Sequence, residues 1–183
     1  MSAVWYLMRG SGVVTLILLT AVVVLGIGTT NRARVGRLPR FVTLALHRNV
    51  SLLAVAFLVV HVVTAVVDTY GGIRLAQVFV PLPTHRYGLW LGLGALSLDL
   101  LAALIVTSLL RHRLSQRVWK RVHWLAYASW PFALLHSIGT GTDKHAGWFQ
   151  LISFASMGLV GVTVLWRLAA LRRPYPKYLG AGA

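Results

Sequence analysis

The chain has 183 residues, of which 57% are hydrophobic and only 11% charged; it carries 18 Lys and Arg against 3 acidic residues, all Asp, and it has no Cys. Soluble domains carry roughly a quarter charged residues, so a water-soluble globular enzyme is excluded, as are a disordered chain and a disulfide-stapled secreted domain. The lack of thiols also excludes thiolate-bound iron–sulfur and Cys–zinc sites. What remains is a polytopic membrane protein, read as one domain over residues 1–183. The net charge of +15 does not mark a nucleic-acid binder, because the cations fall in short clusters between apolar runs, as they do at membrane borders.

A spanning helix needs about 20 mostly apolar residues. The first candidate runs from Gly10 to Asn31, uncharged between Arg9 and Arg32. The topology argues that it is a retained helix rather than a cleaved signal peptide, since cleavage would leave an Arg-rich loop on the outer side. The second span runs from about Phe41 to Val67 and carries His47, Arg48 and His61. A longer loop, Asp68–Tyr87, follows; its apolar stretch Leu75–Leu82 is too short to cross and is expected to lie at the interface. The third span, Gly88–Leu110, carries Asp99; the fourth, from Val122 to about Thr140, carries His123, Pro131 and His136; the fifth, from Trp148 to about Leu171, carries Arg167. The expected fold is therefore an all-α membrane protein with a five-helix transmembrane bundle.

Loop charge sets the direction. Arg32, Arg34, Arg37 and Arg40, then Arg111, Arg113, Arg117, Lys120 and Arg121, then Arg167, Arg172, Arg173 and Lys177 share one side; Arg9, Arg74, Arg86 and Lys144 share the other. The positive-inside rule gives a multi-pass protein of the cell membrane with its N-terminus outside and its C-terminus in the cytoplasm. Trp90, Trp119, Trp124, Trp148 and Trp166 fall near borders and read as interface anchors.

Ionisable groups inside spans are costly and usually functional. His47 and His61 are 14 residues apart, and His123 and His136 are 13 apart; at 1.5 Å per residue these are separations of about 21 and 20 Å along a helix. Both spans run from inside to outside, so His47 and His123 share an inner level and His61 and His136 an outer one. A hydrogen bond to a neighbouring helix accounts for one intramembrane histidine, but four matched by depth on two helices fit one chemistry better. Neutral imidazole is a good iron ligand, and two facing imidazoles can hold a haem axially. Two levels then hold two haem b groups stacked across the bilayer, non-covalently, since there is no Cys for c-type attachment. A zinc site fits less well because the levels are too far apart to share an ion. One geometric conflict stands: 14 residues at 100° return to within about 40° of the starting face, whereas 13 leave an offset of about 140°. Pro131, between His123 and His136, is the expected place for a kink that re-aims the ring.

The residues Leu46-His47-Arg48-Asn49, with His61, His123 and His136 at this spacing and a short basic loop before His123, resemble the ferric-reductase-like transmembrane domain of NADPH oxidases, metalloreductases and the haem membrane subunit of a bacterial methionine sulfoxide reductase system. The resemblance covers about residues 41–171. It implies that the four histidines ligate two b haems and pass electrons across the membrane. Larger members carry six helices and a cytoplasmic flavin/nicotinamide domain; here the first of the six is missing and no Gly-rich dinucleotide fingerprint follows the fifth span. The expected function is an oxidoreductase component that moves electrons from a separate flavoprotein or membrane quinol to an extracytoplasmic acceptor, without a dedicated acid/base residue and without taking electrons from NAD(P)H alone. The alternative is a non-redox assembly subunit or a proton-coupled transporter using Asp99 and the histidines, although no internal repeat is visible.

Supporting groups follow from the same reading. Arg48, next to His47, is the first choice for an inner haem propionate, with Arg40 and Arg121 behind it; Arg74, Arg86, Lys144 and His145 are the outer candidates. Asp99 is expected in an interhelical or ligand-supporting role, Asp68 and Tyr70 at the outer haem edge, and His85 and His112 in solvent. Gly92, Gly94, Gly158 and Gly161 are expected to permit close approach of a helix or haem.

Overall fold

A backbone that enters a bilayer must satisfy its polar groups within its own segment, which leaves a chain of long apolar runs little choice but helices. A computed structural model of the protein describes residues 2–30, 39–69, 72–81 and 88–171, and the described residues contain no strand. The helices are α1 (Ala3–Thr30), α2 (Arg40–Val67), α3 (Leu75–Phe79), α4 (Gly88–Leu109), α5 (Gln116–His123), α6 (Ala126–Thr140) and α7 (Gly147–Leu171). Four of them, α1, α2, α4 and α7, are long and apolar enough to cross a membrane, and the chain is a multi-pass membrane protein. Arg32, Arg34, Arg37, Tyr70, His85, Arg86, Arg172, Arg173 and Lys177 lie outside the described residues.

The fourth expected span departs from the sequence reading. It is two helices: α5, which ends at His123, and α6, which has 15 residues. Ser115 starts α5 by accepting the Val118 N–H at its side chain. At the junction the backbone stays right-handed but tightens. Leu125 N–H bonds the Val122 carbonyl, Tyr127 the Trp124 carbonyl and Ala128 the Leu125 carbonyl, all three residues back. Such a stretch turns about 120° per residue instead of about 100°. About five residues of it add about 100°, which cancels most of the offset of a 13-residue spacing. The re-aiming thus comes from the junction at Trp124 and Leu125. Pro131, where the sequence led us to expect a kink, sits inside α6, which continues through it.

α2 packs along α1, and α6 along α4, while α1 also touches α6 and α7. α2 and α6 make almost no close backbone approach to each other. The core joins Leu16 and Leu19 of α1 to Ala54 of α2, Trp130 and Leu134 of α6 and Val160 of α7. Several polar side chains inside the helices are satisfied locally: Thr15, Thr20 and Ser51 donate to the carbonyls four residues back. Trp130 Nε1–H bonds Thr20 Oγ1 at 3.0 Å and Ser97 Oγ–H the Ser129 carbonyl at 2.9 Å, joining α6 to α1 and α4 to α6. Short α3 lies on α4 with Val78 buried and Leu75 and Phe79 exposed.

Arg167 of α7 ties down the α5–α6 junction. It donates to the Tyr127 hydroxyl and lies over the Trp124 and Tyr127 rings, 5.3 and 5.7 Å from their centroids. Arg167→Gln should therefore cost about 2 kcal/mol, read as earlier thermal aggregation of the detergent-solubilised protein. Arg167→Lys should recover only part of it, because an ammonium lacks the planar face that stacks on rings.

Candidate functional site

The four histidines form two pairs. His47 and His123 have ring centroids 6.4 Å apart, and His61 and His136 are 6.3 Å apart. With a metal–imidazole bond of about 2.0–2.1 Å and about 1.1 Å from nitrogen to ring centre, two imidazoles on opposite sides of one metal ion sit about 6.3 Å apart. In both pairs the rings are steeply inclined, at 68° and 76°.

Three of the four rings are held in the same way. His47 Nδ1 is 3.1 Å from the Val22 carbonyl, His61 Nδ1 is 2.8 Å from the Met8 carbonyl, and His136 Nδ1 is 2.9 Å from the Trp90 carbonyl. A carbonyl only accepts, so Nδ1 carries the proton and Nε2 is left with its lone pair for a metal. Each of these carbonyls lies four residues before a glycine on the same helix: Gly26, Gly12 and Gly94. A Cβ on Gly12 would lie 2.8 Å from His61 Cε1, one on Gly26 3.2 Å from His47 Cε1, and one on Gly94 2.5 Å from His136 Nδ1. The glycine opens the groove through which the imidazole reaches a carbonyl already engaged in the helix. Trp90, whose carbonyl holds His136, in turn lays its ring against Gly139, one turn beyond His136.

His123 is different. Its Nδ1 is buried without a hydrogen-bond partner among the described residues, and so is Trp119 Nε1. The two rings stack, 4.8 Å between centroids and 22° between planes, and the Arg111 guanidinium lies 4.7 Å from the Trp119 ring.

An apolar cavity opens between His61 and His136, walled by Leu16, Leu19, Leu58, Leu98, Leu101 and Ala133. At its rim Arg9 pairs with Asp143 and lies over the Trp5 ring. Asp68 reaches the same cavity, is buried, and accepts from Ser2 Oγ at 3.4 Å.

The donor set suits a haem better than a bare ion. Among the described residues no three His or Asp come together as a metal-binding group, so each level offers two ligands. A metal held by two imidazoles would need its other positions filled by something these residues do not supply, which a porphyrin would. The cavity walls are apolar, as the faces of a macrocycle require.

Other expected positions turn out as follows. Arg48, Arg40 and Arg121 are exposed, as are Arg74, Lys144, His145 and His112; Asp99 is half-buried on α4. Gly94 does permit a close approach, and Gly92 makes ordinary contact with the Pro81 backbone, but Gly158 and Gly161 face open space, so their expected role is not met. Trp119 and Trp90 do more than anchor at a border. Sequence reasoning missed Arg9, Gly12 and Gly26. A signal was present for the glycines: Gly12 and Gly26 are 14 apart on α1, the spacing of His47 and His61 on α2.

Residues 11–134 match the family described as the ferric reductase like transmembrane component, and the chain belongs to that family. It is a membrane oxidoreductase component of the ferric-reductase-like class. No curated protein and no solved structure matches it.

Proposed function

We propose that the chain is a di-haem b electron-transfer protein of the cell membrane, with α1, α2, α4, α6 and α7 as the five helices of its bundle. The observation that carries this reading is the pair of imidazole separations, 6.4 and 6.3 Å, each the span of one metal ion. In it His47 and His123 hold the inner haem and His61 and His136 the outer one, with the N-terminus outside and the C-terminus in the cytoplasm. Bound there, the haems would carry single electrons between a donor and an acceptor on opposite faces of the membrane.

The chain's own residues do the rest. The Val22, Met8 and Trp90 carbonyls fix the tautomer and the aim of three rings. The leucine walls exclude water and lower the local dielectric. Arg48 follows His47 directly in the sequence and is the first choice for pairing with an inner haem propionate. At the outer rim Arg9 borders the cavity, its side chain only 15% exposed, and is better placed for that part than Lys144 or His145, which are exposed. The donor is a separate flavoprotein or a membrane quinol, and the acceptor lies outside the cytoplasm. Ferric iron, oxygen or an outer flavoprotein each suit that description.

The test is stoichiometry. Protein purified from haem-replete cells should be red, show a Soret band that shifts on dithionite reduction, and give two haems per chain as the pyridine haemochrome. Colourless protein would end this reading.

A further inference from the structure

The two levels are supported unequally. At the His61/His136 level both rings donate Nδ1–H to main-chain carbonyls. At the His47/His123 level one ring does so, and the other is stacked on Trp119 with its Nδ1 unbonded among the described residues. A hydrogen bond from the far nitrogen makes an imidazole a stronger electron donor to its metal, and that favours the ferric state. Nearby charge acts in the same direction. Arg111 stands over Trp119 with no carboxylate partner among the described residues, and an uncompensated cation favours the state with one positive charge fewer. The other level has Arg9, but Asp143 compensates it, and Asp68 lines the same cavity.

We propose that the Trp119 stack and Arg111 make the His47/His123 level the higher-potential site, so that a single electron shared between the two levels rests on the cytoplasmic side. Trp119 is a positioning residue in this scheme: it holds the His123 ring by its face where the other three are held by a carbonyl. The proposal rests on the di-haem reading above. Outward transfer then runs uphill inside the protein and proceeds when an external acceptor keeps the outer level oxidised.

The experiment is a redox titration of the haem-loaded full chain with dithionite and mediators, followed by visible absorbance. Two one-electron waves should appear, at least tenfold apart in reduction equilibrium, which is about 59 mV. Arg111→Gln, which leaves all four ligands in place, should lower the upper wave and leave the lower one unmoved. Trp119→Phe should keep the upper wave near its place, and Trp119→Leu should displace it. His61→Ala should delete the lower wave. Coincident waves, loss of the upper wave in His61→Ala, or an Arg111→Gln shift confined to the lower wave would each overturn the proposal with the di-haem reading intact. A preparation without haem would overturn both.

Discussion

Gly94→Ala should empty the His61/His136 level and leave the other level filled, halving the haem per chain. The added Cβ would sit 2.5 Å from His136 Nδ1 and 2.6 Å from its Cε1, inside the distance any real carbon atom tolerates. α4 cannot retreat, because Trp90 is seated against Gly139 and Ser97 is bonded to the Ser129 carbonyl. The ring must therefore leave the Trp90 carbonyl, losing a hydrogen bond together with the aim of Nε2. Overpacking of this kind costs typically 1–3 kcal/mol, and a buried donor left without an acceptor costs about as much again. The comparison within the glycine set makes the prediction sharp. Gly12→Ala should be severe at the same level, with contacts of 2.8 Å to His61, and Gly26→Ala milder at the other level, with 3.2 Å to His47. Gly158→Ala should be silent, since nothing lies within 4 Å of its added carbon. Haem-to-protein ratios across the four variants check the order. A Gly94→Ala protein with two haems would show that the groove is not what seats His136.

Single histidine replacements should divide by level. His61→Ala or His136→Ala should bring the haem count from two to about one, with the remaining group keeping a low-spin bis-imidazole spectrum. His47→Ala or His123→Ala should remove the opposite one. The basis is that His61 and His136 pair across α2 and α6 at 6.3 Å and His47 and His123 across α2 and α5 at 6.4 Å, while His47 and His61 are about 21 Å apart along α2. Replacing His61, His136 or His123 leaves the partner ring's bond to a carbonyl intact, whereas replacing His47 leaves His123 held by its stack on Trp119 alone. Equal loss of both haems from any one replacement would contradict the division. Between the two His47/His123 variants, His123→Ala should disturb the backbone less, because no carbonyl bond is broken with it.

Much of this architecture could be read from the residues. Hydropathy and length located α1, α2, α4 and α7, because a bilayer allows few alternatives to a long helix. The histidine spacing and helix direction paired His47 with His123 and His61 with His136, since rise per residue is a local property. What escaped was whatever depended on contacts between helices. The division of the fourth span at Trp124 and Leu125 changes no residue type that a hydropathy reading registers, and Pro131 was the more conspicuous breaker. Arg9 read as an outer loop charge until the fold brought it to Trp5, Asp143 and the cavity rim. Gly158 and Gly161 look the same in sequence as Gly12 and Gly94, and only the neighbouring helix tells them apart.

α1 contributes no ligand, yet it is the ruler of the assembly. Met8 and Gly12 serve one histidine, Val22 and Gly26 the other, so the pitch of α1 and that of α2 must agree over four turns. One residue inserted between Gly12 and Gly26 would put the second notch out of phase with its histidine by about 100° and 1.5 Å. In the proposed di-haem arrangement the gap between the two levels would be gauged by a helix that supplies none of the four imidazoles.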